Sequence, residues 1–339
     1  MKHVMRMALM VGVAAGALWA VSGDRGYTQA AADPNAAPNP YKMQDNFFQL
    51  PEGRKLGAAI KVQVDHSDGK SMWVFDRCSG NSCANSMIPP IQKFDANGKF
   101  VRAFGANMFI QPHGFYVDNE GNVWAADNGV KNGKGAVVVK FSPFGQVLMT
   151  LGHPGMPGDA QGYFNGASSV VVAPNGDIVV GDGHGGNTND RVVKFDKTGK
   201  QLATWGKHGK GQGEFDQLHG IAMDSQGRIF VADRGNSRIQ VFDSNGKFEA
   251  DWKQFGRPSD VAIDKFDNIY VADDQSNEKT NPGFKAGIRI GSAKDGKVNA
   301  FIPLTSTEIA APEGVGVDET GNVYGGWTGK MAARRWNKS

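Results

Sequence analysis

The hydrophobic residues of this chain fall into short runs separated by turns that contain glycine. In the clearest stretch, residues 215–252, apolar runs at 221–223, 229–232 and 239–242 alternate with turns at 224–227 and 245–246. A fourth run ends at Trp252. Runs of this length between glycine turns predict four antiparallel strands. We therefore expect this stretch to form one small sheet.

The same order of runs and turns recurs along most of the chain. The run after the first turn ends in aspartate in several copies, as at 123–127, 178–182 and 269–273. The copies make six units of roughly forty to fifty residues, a spacing typical of propeller blades. A four-stranded sheet cannot bury both of its faces alone, so neighbouring units have to stack around an axis. We predict an all-β, six-bladed β-propeller.

This repeat resembles the NHL repeat family of β-propellers. The likeness is strongest in residues 215–252, good in 112–152 and 164–206, and weaker in the blade that starts near Pro258 and in the first and last blades. A four-bladed ring or a β-sandwich is the alternative. It fits less well, because the units keep one internal order and no helical pattern separates them.

The last unit is too short for four strands, because the chain ends soon after Trp336. Residues 45–50, which include Phe47 and Phe48, lie outside the repeat and are apolar enough to supply the missing strand. We predict that this segment closes the ring by pairing with the last blade, which also hides a sheet edge. The alternative is that both phenylalanines belong to a loosely packed arm. The propeller domain is predicted to span 45–339.

The N-terminus has the pattern of a targeting segment. Lys2, His3 and Arg6 precede an apolar stretch at 7–21 that is short for a membrane span. We predict a signal peptide at 1–22, with cleavage between residues 20 and 32, followed by a flexible lead-in at 23–44. Export would make the protein secreted or periplasmic, with no membrane span in the mature chain. A retained N-terminal anchor is the alternative.

Composition and cysteine spacing narrow the function further. The net charge is only +3 and no basic run with interleaved aromatics occurs, so we expect no nucleic-acid partner. We also expect a monomer. Cys78 and Cys83 share one loop, and an oxidising compartment favours a disulfide between them. A metal site needs more ligands than two thiols, and a redox pair is usually more closely spaced. The disulfide would hold the loop that carries Arg77.

The axis of the ring is where chemistry is predicted, because the first strand of every blade lines it. Five positions before the turn aspartate, or its equivalent, stand Ile60, His113, Ser168, His219, Ser259 and Glu313. Two imidazoles and a carboxylate around an open position are typical of a catalytic zinc site. We predict a metal on His113, His219 and Glu313. The alternative is a polar channel in which the histidines only make hydrogen bonds.

A second group of polar residues follows the second strand of the blades and faces the same mouth. Its members are Arg77, Asn128, His184, Arg234 and Asp274. Arg77 and Arg234 are suited to binding a substrate carboxylate. His184, in a glycine-rich turn, is suited to the role of general base. The alternatives are a salt bridge for Arg77, packing against the next blade for Arg234, and a solvated loop position for His184.

Residues 104–114, and residues 215–220 together with 232–236, resemble the zinc-ligand segments of peptidyl-α-hydroxyglycine α-amidating lyases. The similarity covers most of the propeller, in order, from about Arg77 onward. It implies an NHL-type propeller of six blades with an axial zinc held by three histidines and a structural calcium on the axis. It also implies a catalytic tyrosine and arginines that convert a carbinolamide to a peptide amide and glyoxylate.

Carried over by position, the resemblance makes His113 and His219 two of the zinc ligands, and Arg77 and Arg234 the active-site arginines. Three positions depart from the family. The third zinc histidine is replaced by Glu313, the catalytic tyrosine by His184, and the cysteine beside that tyrosine by Gly185, so the disulfide of that cysteine is absent.

Our leading hypothesis is an exported enzyme that depends on zinc or another divalent metal and cleaves the C–N bond of a carbinolamide. Its substrate, a small molecule or peptide, would bind at the propeller axis. The first alternative is a non-enzymatic propeller that binds a peptide, protein or glycan in the cell envelope. A lactonase-like calcium hydrolase is a weaker alternative, since the axial register offers only one carboxylate.

Overall fold

The computed structural model describes residues 33–304 and 312–339. The predicted signal peptide, its cleavage range and the first part of the predicted lead-in lie outside the described residues. None of the described residues forms an apolar helix of membrane-spanning length. Residues 33–339 belong to one unit, and its described strands form six antiparallel four-stranded sheets. This architecture confirms the predicted six-bladed β-propeller.

The strands follow the order of the repeat. The first strand, β1 (Tyr41–Gln44), belongs to the last blade. Blade 1 contains β2 (Ala59–Val64), β3 (Met72–Asp76), β4 (Ile91–Phe94) and β5 (Phe100–Phe104). Blade 2 contains β6 (Pro112–Val117), β7 (Val123–Lys131), β8 (Lys134–Phe141) and β9 (Val147–Gly152). Blade 3 contains β10 (Ala167–Val172), β11 (Ile178–Asp182), β12 (Arg191–Phe195) and β13 (Gln201–Trp205).

The second half of the ring repeats this arrangement. Blade 4 contains β14 (Leu218–Met223), β15 (Ile229–Asp233), β16 (Arg238–Phe242) and β17 (Phe248–Trp252). Blade 5 contains β18 (Asp260–Ile263), β19 (Asn268–Asp273), β20 (Gly287–Ser292) and β21 (Val298–Pro303). Blade 6 contains β22 (Gly314–Val317), β23 (Val323–Trp327), β24 (Ala332–Lys338) and, at its edge, β1.

Each blade buries its two faces against its neighbours. Six hydrophobic clusters lie between successive sheets, for example Phe75 of blade 1 stacked on Phe115 of blade 2 at a ring-centroid distance of 5.1 Å. Between blades 6 and 1, Tyr324 meets Phe94 and Val74 in the same cluster. The apolar contacts therefore run the whole way round, which is what removes open sheet faces in a propeller.

As predicted, an N-terminal strand closes the ring by pairing with the last blade, but it is a different strand from residues 45–50. β1 pairs with β24, with Tyr41 opposite Lys338 and Gln44 opposite Arg335. The closing strand is therefore Tyr41–Gln44, within the predicted lead-in, and the assignment of residues 45–50 to it is wrong. Only Tyr41 is buried in β1, so the strand has no alternating apolar pattern to reveal it.

Phe47 and Phe48 fill the gap between the last and first blades instead. Phe48 contacts Phe94 at a ring-centroid distance of 5.0 Å, and Phe47 contacts Tyr324 at 6.0 Å. Both side chains are buried. They are apolar because they pack between two sheets, and the alternative of a loosely packed arm is also wrong.

A repeated aspartate at the end of the second strand positions the segments that lead to the axis. The five residues are Asp76, Asp127, Asp182, Asp233 and Asp273, all fully buried. Each accepts backbone N–H groups from the segment before the first strand of its own blade. Burial raises the pKa of every one of these carboxyl groups, and the hydrogen bonds oppose that rise.

The predicted disulfide is present. Cys78 and Cys83 are bonded, with their Cα atoms 5.2 Å apart. The bridge closes the loop after β3, and the backbone N–H of Cys83 donates to the Ile110 carbonyl of blade 2 at 2.9 Å. Arg77 immediately precedes this loop, so the bridge holds the backbone next to a predicted site residue.

Candidate metal centre

The two axial histidines sit where their strands depart from regular pairing. The register between β6 and β7 shifts between Pro112 and Phe115, and the register between β14 and β15 shifts between Leu218 and Gly220. His113 and His219 lie within these bulges. A bulge re-aims a side chain relative to its sheet, and both imidazoles are buried beside each other, with ring centroids 4.5 Å apart.

The glycine that follows His113 makes room for the neighbouring strand. A Cβ atom at Gly114 would lie 2.6 Å from the Cα of Ser169 in β10 and 2.8 Å from the Ser168 carbonyl oxygen. Both neighbours are backbone atoms, which cannot turn away. Glycine is therefore required for the first strands of blades 2 and 3 to approach closely enough to bring their side chains together at the axis.

Hydrogen bonds fix which nitrogen of each axial histidine faces the centre. Nδ1 of His113 lies 2.7 Å from the Ser168 carbonyl oxygen, and Nδ1 of His219 contacts the Ser259 carbonyl oxygen. A carbonyl only accepts, so each Nδ1 carries the proton and each Nε2 keeps a free lone pair. Both Nε2 atoms are buried without a hydrogen-bond partner. Two unpartnered buried acceptors are costly unless something binds them.

Glu313 completes the group predicted from the axial register. Its Oε1 lies 3.8 Å from Nε2 of His113 and 3.6 Å from Nε2 of His219. Ligand atoms about 2.0–2.1 Å from a tetrahedral zinc stand about 3.3 Å apart. The donor atoms are therefore close to the separation that a shared metal would impose, and the three residues fit a divalent ion.

His184 joins the same group, although its position in the sequence follows a different rule. Its ring centroid lies 4.3 Å from that of His113 and 4.7 Å from that of His219. Candidate donor atoms of all four residues lie within 4.8 Å of one another. Within residues 33–304 and 312–339, no other group of three or more potential metal ligands is found. The proposed base is thus a possible fourth ligand.

Asn128 of the second layer contacts His184 directly. The Asn128 amide nitrogen lies 2.9 Å from His184 Nδ1. An amide N–H in this position donates to Nδ1 and leaves the proton on Nε2. A half-turn of the amide presents its oxygen instead, which accepts from Nδ1–H and frees the Nε2 lone pair. Asn128 therefore controls which nitrogen of His184 is available at the centre.

Burial and neighbouring cations keep the axial imidazoles neutral. Burial, followed by the charge of Arg77, lowers the pKa of His113 to about 3. Burial and Arg234 hold the pKa of His219 well below its usual value, and burial and His113 do the same for His184. A neutral imidazole is the form that binds a metal. The centre is therefore prepared for a cation across the physiological pH range.

The two predicted arginines lie beside this group. Arg77 donates from Nε to the Pro112 carbonyl at 3.2 Å and from NH1 to Oδ1 of Asn81 at 2.8 Å. Arg234 donates from NH2 to Oε1 of Gln217 at 3.0 Å, and its Nε is buried without a partner. Burial lowers the pKa of both arginines, while Glu313 favours their charged forms. Both side chains are buried but incompletely bonded.

No ion pair of either arginine appears among the described residues, so the salt-bridge alternative for Arg77 has no support there.

Asp274 is the fifth residue of the second layer, and the sequence pattern alone indicates no role for it. Its Oδ1 is buried without a partner, and burial together with the charge of Glu313 raises the pKa of its carboxyl group to about 7. An unpaired carboxylate acceptor therefore belongs to the same mouth.

A buried ion pair lies next to the centre on the axis. Lys61 Nζ is 3.0 Å from both carboxylate oxygens of Asp260, which also accepts the Val315 N–H at 2.9 Å. These residues line a cavity of about 10 Å³ together with the axial histidines and Glu313. The lysine ammonium already neutralises the Asp260 carboxylate. The residues of this cavity therefore do not fit the structural calcium that the family resemblance implies.

A much larger cavity, about 510 Å³, is lined by Lys61 and by residues that begin the turns after the first strands, such as Asp224, Asp264 and Asp318. The turns lie at the opposite end of these strands from the axial histidines, so this cavity does not reach the metal-ligand group. This cavity and the candidate metal-ligand group are therefore separate.

Comparisons with known proteins agree with the fold and the repeat. The model of the NHL repeat family matches residues 215–242, within blade 4. NHL repeat-containing protein 3 is 37% identical over 171 residues in Homo sapiens, covering 49% of this chain and 48% of that protein. The Mus musculus protein is 32% identical over 224 residues, covering 62% and 61%. The chain thus matches about half to three-fifths of the length of these relatives.

A probable peptidyl-alpha-hydroxyglycine alpha-amidating lyase of Caenorhabditis elegans is 35% identical over 157 residues, covering 45% of this chain and 42% of that protein. Among solved structures, a streptogramin B lyase is similar with a TM-score of 0.55 at 16% identity, covering 88% of this chain and 98% of the other. At that identity the likeness concerns the fold alone.

The chain is therefore an NHL-repeat β-propeller with six blades. Its sequence relatives include peptidyl-alpha-hydroxyglycine alpha-amidating lyases.

Proposed function

We propose that the protein is a metal-dependent lyase that cleaves the C–N bond of a peptidyl α-hydroxyglycine, releasing glyoxylate and an amide. One observation carries the proposal: two buried Nε2 atoms, on His113 and His219, face the Glu313 carboxylate and have no protein partner. Sequence relatives named for this reaction support the choice of substrate. The metal is zinc or another divalent ion.

His113, His219 and Glu313 would hold the metal. A catalytic site keeps one position open and so uses three protein ligands; four ligands would close it. His113 and His219 keep their Nε2 lone pairs, whereas donation from the Asn128 amide to Nδ1 of His184 leaves the proton on its Nε2. We therefore assign His184 to proton transfer. When bound, the metal supplies Lewis-acid polarisation of the substrate hydroxyl.

The protein side chains then have separate tasks. Arg77 and Arg234 hold the substrate carboxylate, using guanidinium N–H groups that the fold leaves incompletely bonded. Nε2 of His184 accepts the hydroxyl proton when the Asn128 amide is turned so that its oxygen accepts a hydrogen bond from Nδ1–H. As the carbonyl of glyoxylate forms, the C–N bond breaks, its electron pair passes to nitrogen, and one proton is returned to that nitrogen to give the amide.

We also propose that the protein is exported, secreted or periplasmic, as a monomer. The disulfide between Cys78 and Cys83 supports an oxidising location. Sequencing the N-terminus of the protein recovered outside the cytoplasm tests this part. Processing between residues 20 and 32 is expected, and an unprocessed N-terminus would support the retained anchor instead.

The enzymatic proposal is tested with zinc-loaded protein and N-benzoyl-α-hydroxyglycine. Glyoxylate release is expected from the natural sequence and is expected to be lost in His113→Ala, since a metal ligand is removed. His208→Ala is the matched control, because His208 is exposed and pairs with Asp190 outside the group. Stoichiometric metal is expected in the control and not in His113→Ala. Full glyoxylate release by His113→Ala would reject the mechanism.

The non-enzymatic alternative rests on NHL repeat-containing protein 3, a relative whose name specifies no reaction. On that alternative the mouth binds a peptide, protein or glycan without converting it. Binding of an N-acylglycine peptide without glyoxylate release from the hydroxylated form would favour the alternative over the lyase.

A further inference from the structure

One carboxylate in the mouth has no task in the proposed reaction. Asp274 directly follows Asp273 at the end of β19, as Arg77 follows Asp76 and Arg234 follows Asp233. These equivalent positions place Asp274 in the same layer of the ring, in the blade next to that of Arg234. It is the single carboxylate among the second-layer residues Arg77, Asn128, His184, Arg234 and Asp274.

The Asp274 carboxylate lacks the partners that other buried carboxylates of this protein have. Asp233 and Asp273 accept several hydrogen bonds each, whereas Oδ1 of Asp274 is buried and accepts none. Asp274 interacts electrostatically with Arg234, whose Nε is likewise buried and unpartnered. An acceptor and a donor are thus both left unsatisfied beside Glu313.

A ligand that satisfies both atoms needs an N–H group and an anionic group a short distance apart. An N-acylated α-amino acid has both, since its amide N–H and its carboxylate are attached to the same carbon atom. A buried acceptor left unpaired is costly, so a site of this kind discriminates strongly against ligands that lack the matching donor.

We propose that Asp274 is the specificity-determining residue that accepts the N–H of an N-acylamino acid whose carboxylate is held by the arginines. This deepens the proposed function, on which it rests, by restricting the substrate to secondary amides. An ester of the same shape places an oxygen lone pair against the carboxylate and is rejected.

The test compares two non-reactive probes that differ in one atom group. N-benzoylglycine carries the N–H, and O-benzoylglycolate replaces it with oxygen. Their affinities for the full-length, zinc-loaded protein are measured by isothermal titration calorimetry. We expect the amide to bind about a hundredfold more tightly than the ester. In Asp274→Ala the ratio falls below about tenfold, and ester affinity is kept or rises because Arg234 loses its counter-charge.

Two variants guard against a general loss of structure. Asp274→Asn keeps the shape and one acceptor oxygen, so an intermediate ratio is expected. Asp295→Asn makes the same change in an exposed turn of the same blade and should keep the natural ratio. A merely structural role of Asp274 would weaken both probes equally and leave the ratio unchanged, which would overturn the proposal. So would equal binding of the two probes by the natural sequence.

The two proposals fail in different ways. If the natural sequence shows the expected amide preference but releases no glyoxylate from N-benzoyl-α-hydroxyglycine, the lyase proposal fails and the recognition role of Asp274 stands. If glyoxylate is released but Asp274→Ala keeps the amide preference, the recognition proposal fails and the lyase stands.

Discussion

Replacing His219 with asparagine tests the metal centre without disturbing its hydrogen bond. The amide nitrogen of asparagine takes the place of Nδ1 and can still donate to the Ser259 carbonyl. The substitution removes Nε2, which is buried without a partner. We therefore expect zinc binding to be lost while the metal-free protein stays folded.

The size of the effect follows from linkage. Zinc at a hundred times its dissociation constant stabilises the native state by about 2.7 kcal/mol. The entropy of unfolding for a unit of about 300 residues is about 0.6 kcal/mol/K, so zinc should raise the melting temperature by about 4 °C. If the variant binds a hundredfold more weakly, the same zinc concentration contributes about 0.4 kcal/mol, a shift below about 1 °C.

The assay is thermal unfolding by circular dichroism with zinc or with a chelator. His208→Asn, outside the group, serves as the control and should show the shift of the natural sequence. A zinc-dependent shift in His219→Asn equal to that of the natural protein would refute the assignment of Nε2 as a ligand. Absence of any shift in the natural protein would refute the site as a whole.

Three further predictions concern stability. Lys61→Met should lower the free energy of unfolding by about 3–5 kcal/mol, because it leaves the buried Asp260 carboxylate unpaired. A melting temperature unchanged within 1 °C would contradict this. Replacing both partners by apolar residues should recover much of the loss. Changing Cys78 and Cys83 together to serine should lower the free energy of unfolding in urea by about 2 kcal/mol. Equal urea midpoints for the natural protein and the double variant would contradict this. In the metal-free protein, burial raises the pKa of Asp274 to about 7, so the folded state holds a proton that the unfolded chain releases near pH 4. The free energy of unfolding should therefore fall as pH rises from 4 to 7, and Asp274→Asn should flatten that slope; an unchanged slope would contradict it.

The sequence specified the fold well because every blade repeats the same physical requirements. Glycine turns, apolar runs and the buried aspartate recur in one order, and that order alone predicts stacked sheets. The closing strand was misplaced because β1 buries only Tyr41. Its position is determined by the edge of β24, with which it pairs. That edge is a property of the assembled ring, so the sequence of β1 itself carries no pattern that reveals the pairing.

The axial register correctly predicted that residues two hundred positions apart would meet. His113, His219 and Glu313 occupy equivalent positions, and counting from the turns finds them. His184 could not be found in that way, because it comes from the loop after β11 and reaches the axis from a different layer. The sequence also could not show that Asp274 lacks a hydrogen-bond partner, since an unsatisfied atom is recognised only when the surrounding atoms are placed.

The central claim is that one divalent metal binds at the axis through Nε2 of two histidines. X-ray absorption at the zinc edge, on protein loaded with one equivalent of zinc, tests this claim most directly. We predict two nitrogen ligands at about 2.0–2.1 Å and one carboxylate oxygen at about 2.0–2.2 Å, and loss of the imidazole signal in His113→Asn, which no longer holds the metal. A spectrum of hydrated zinc, or an imidazole signal that survives in both His113→Asn and His219→Asn, would contradict the account.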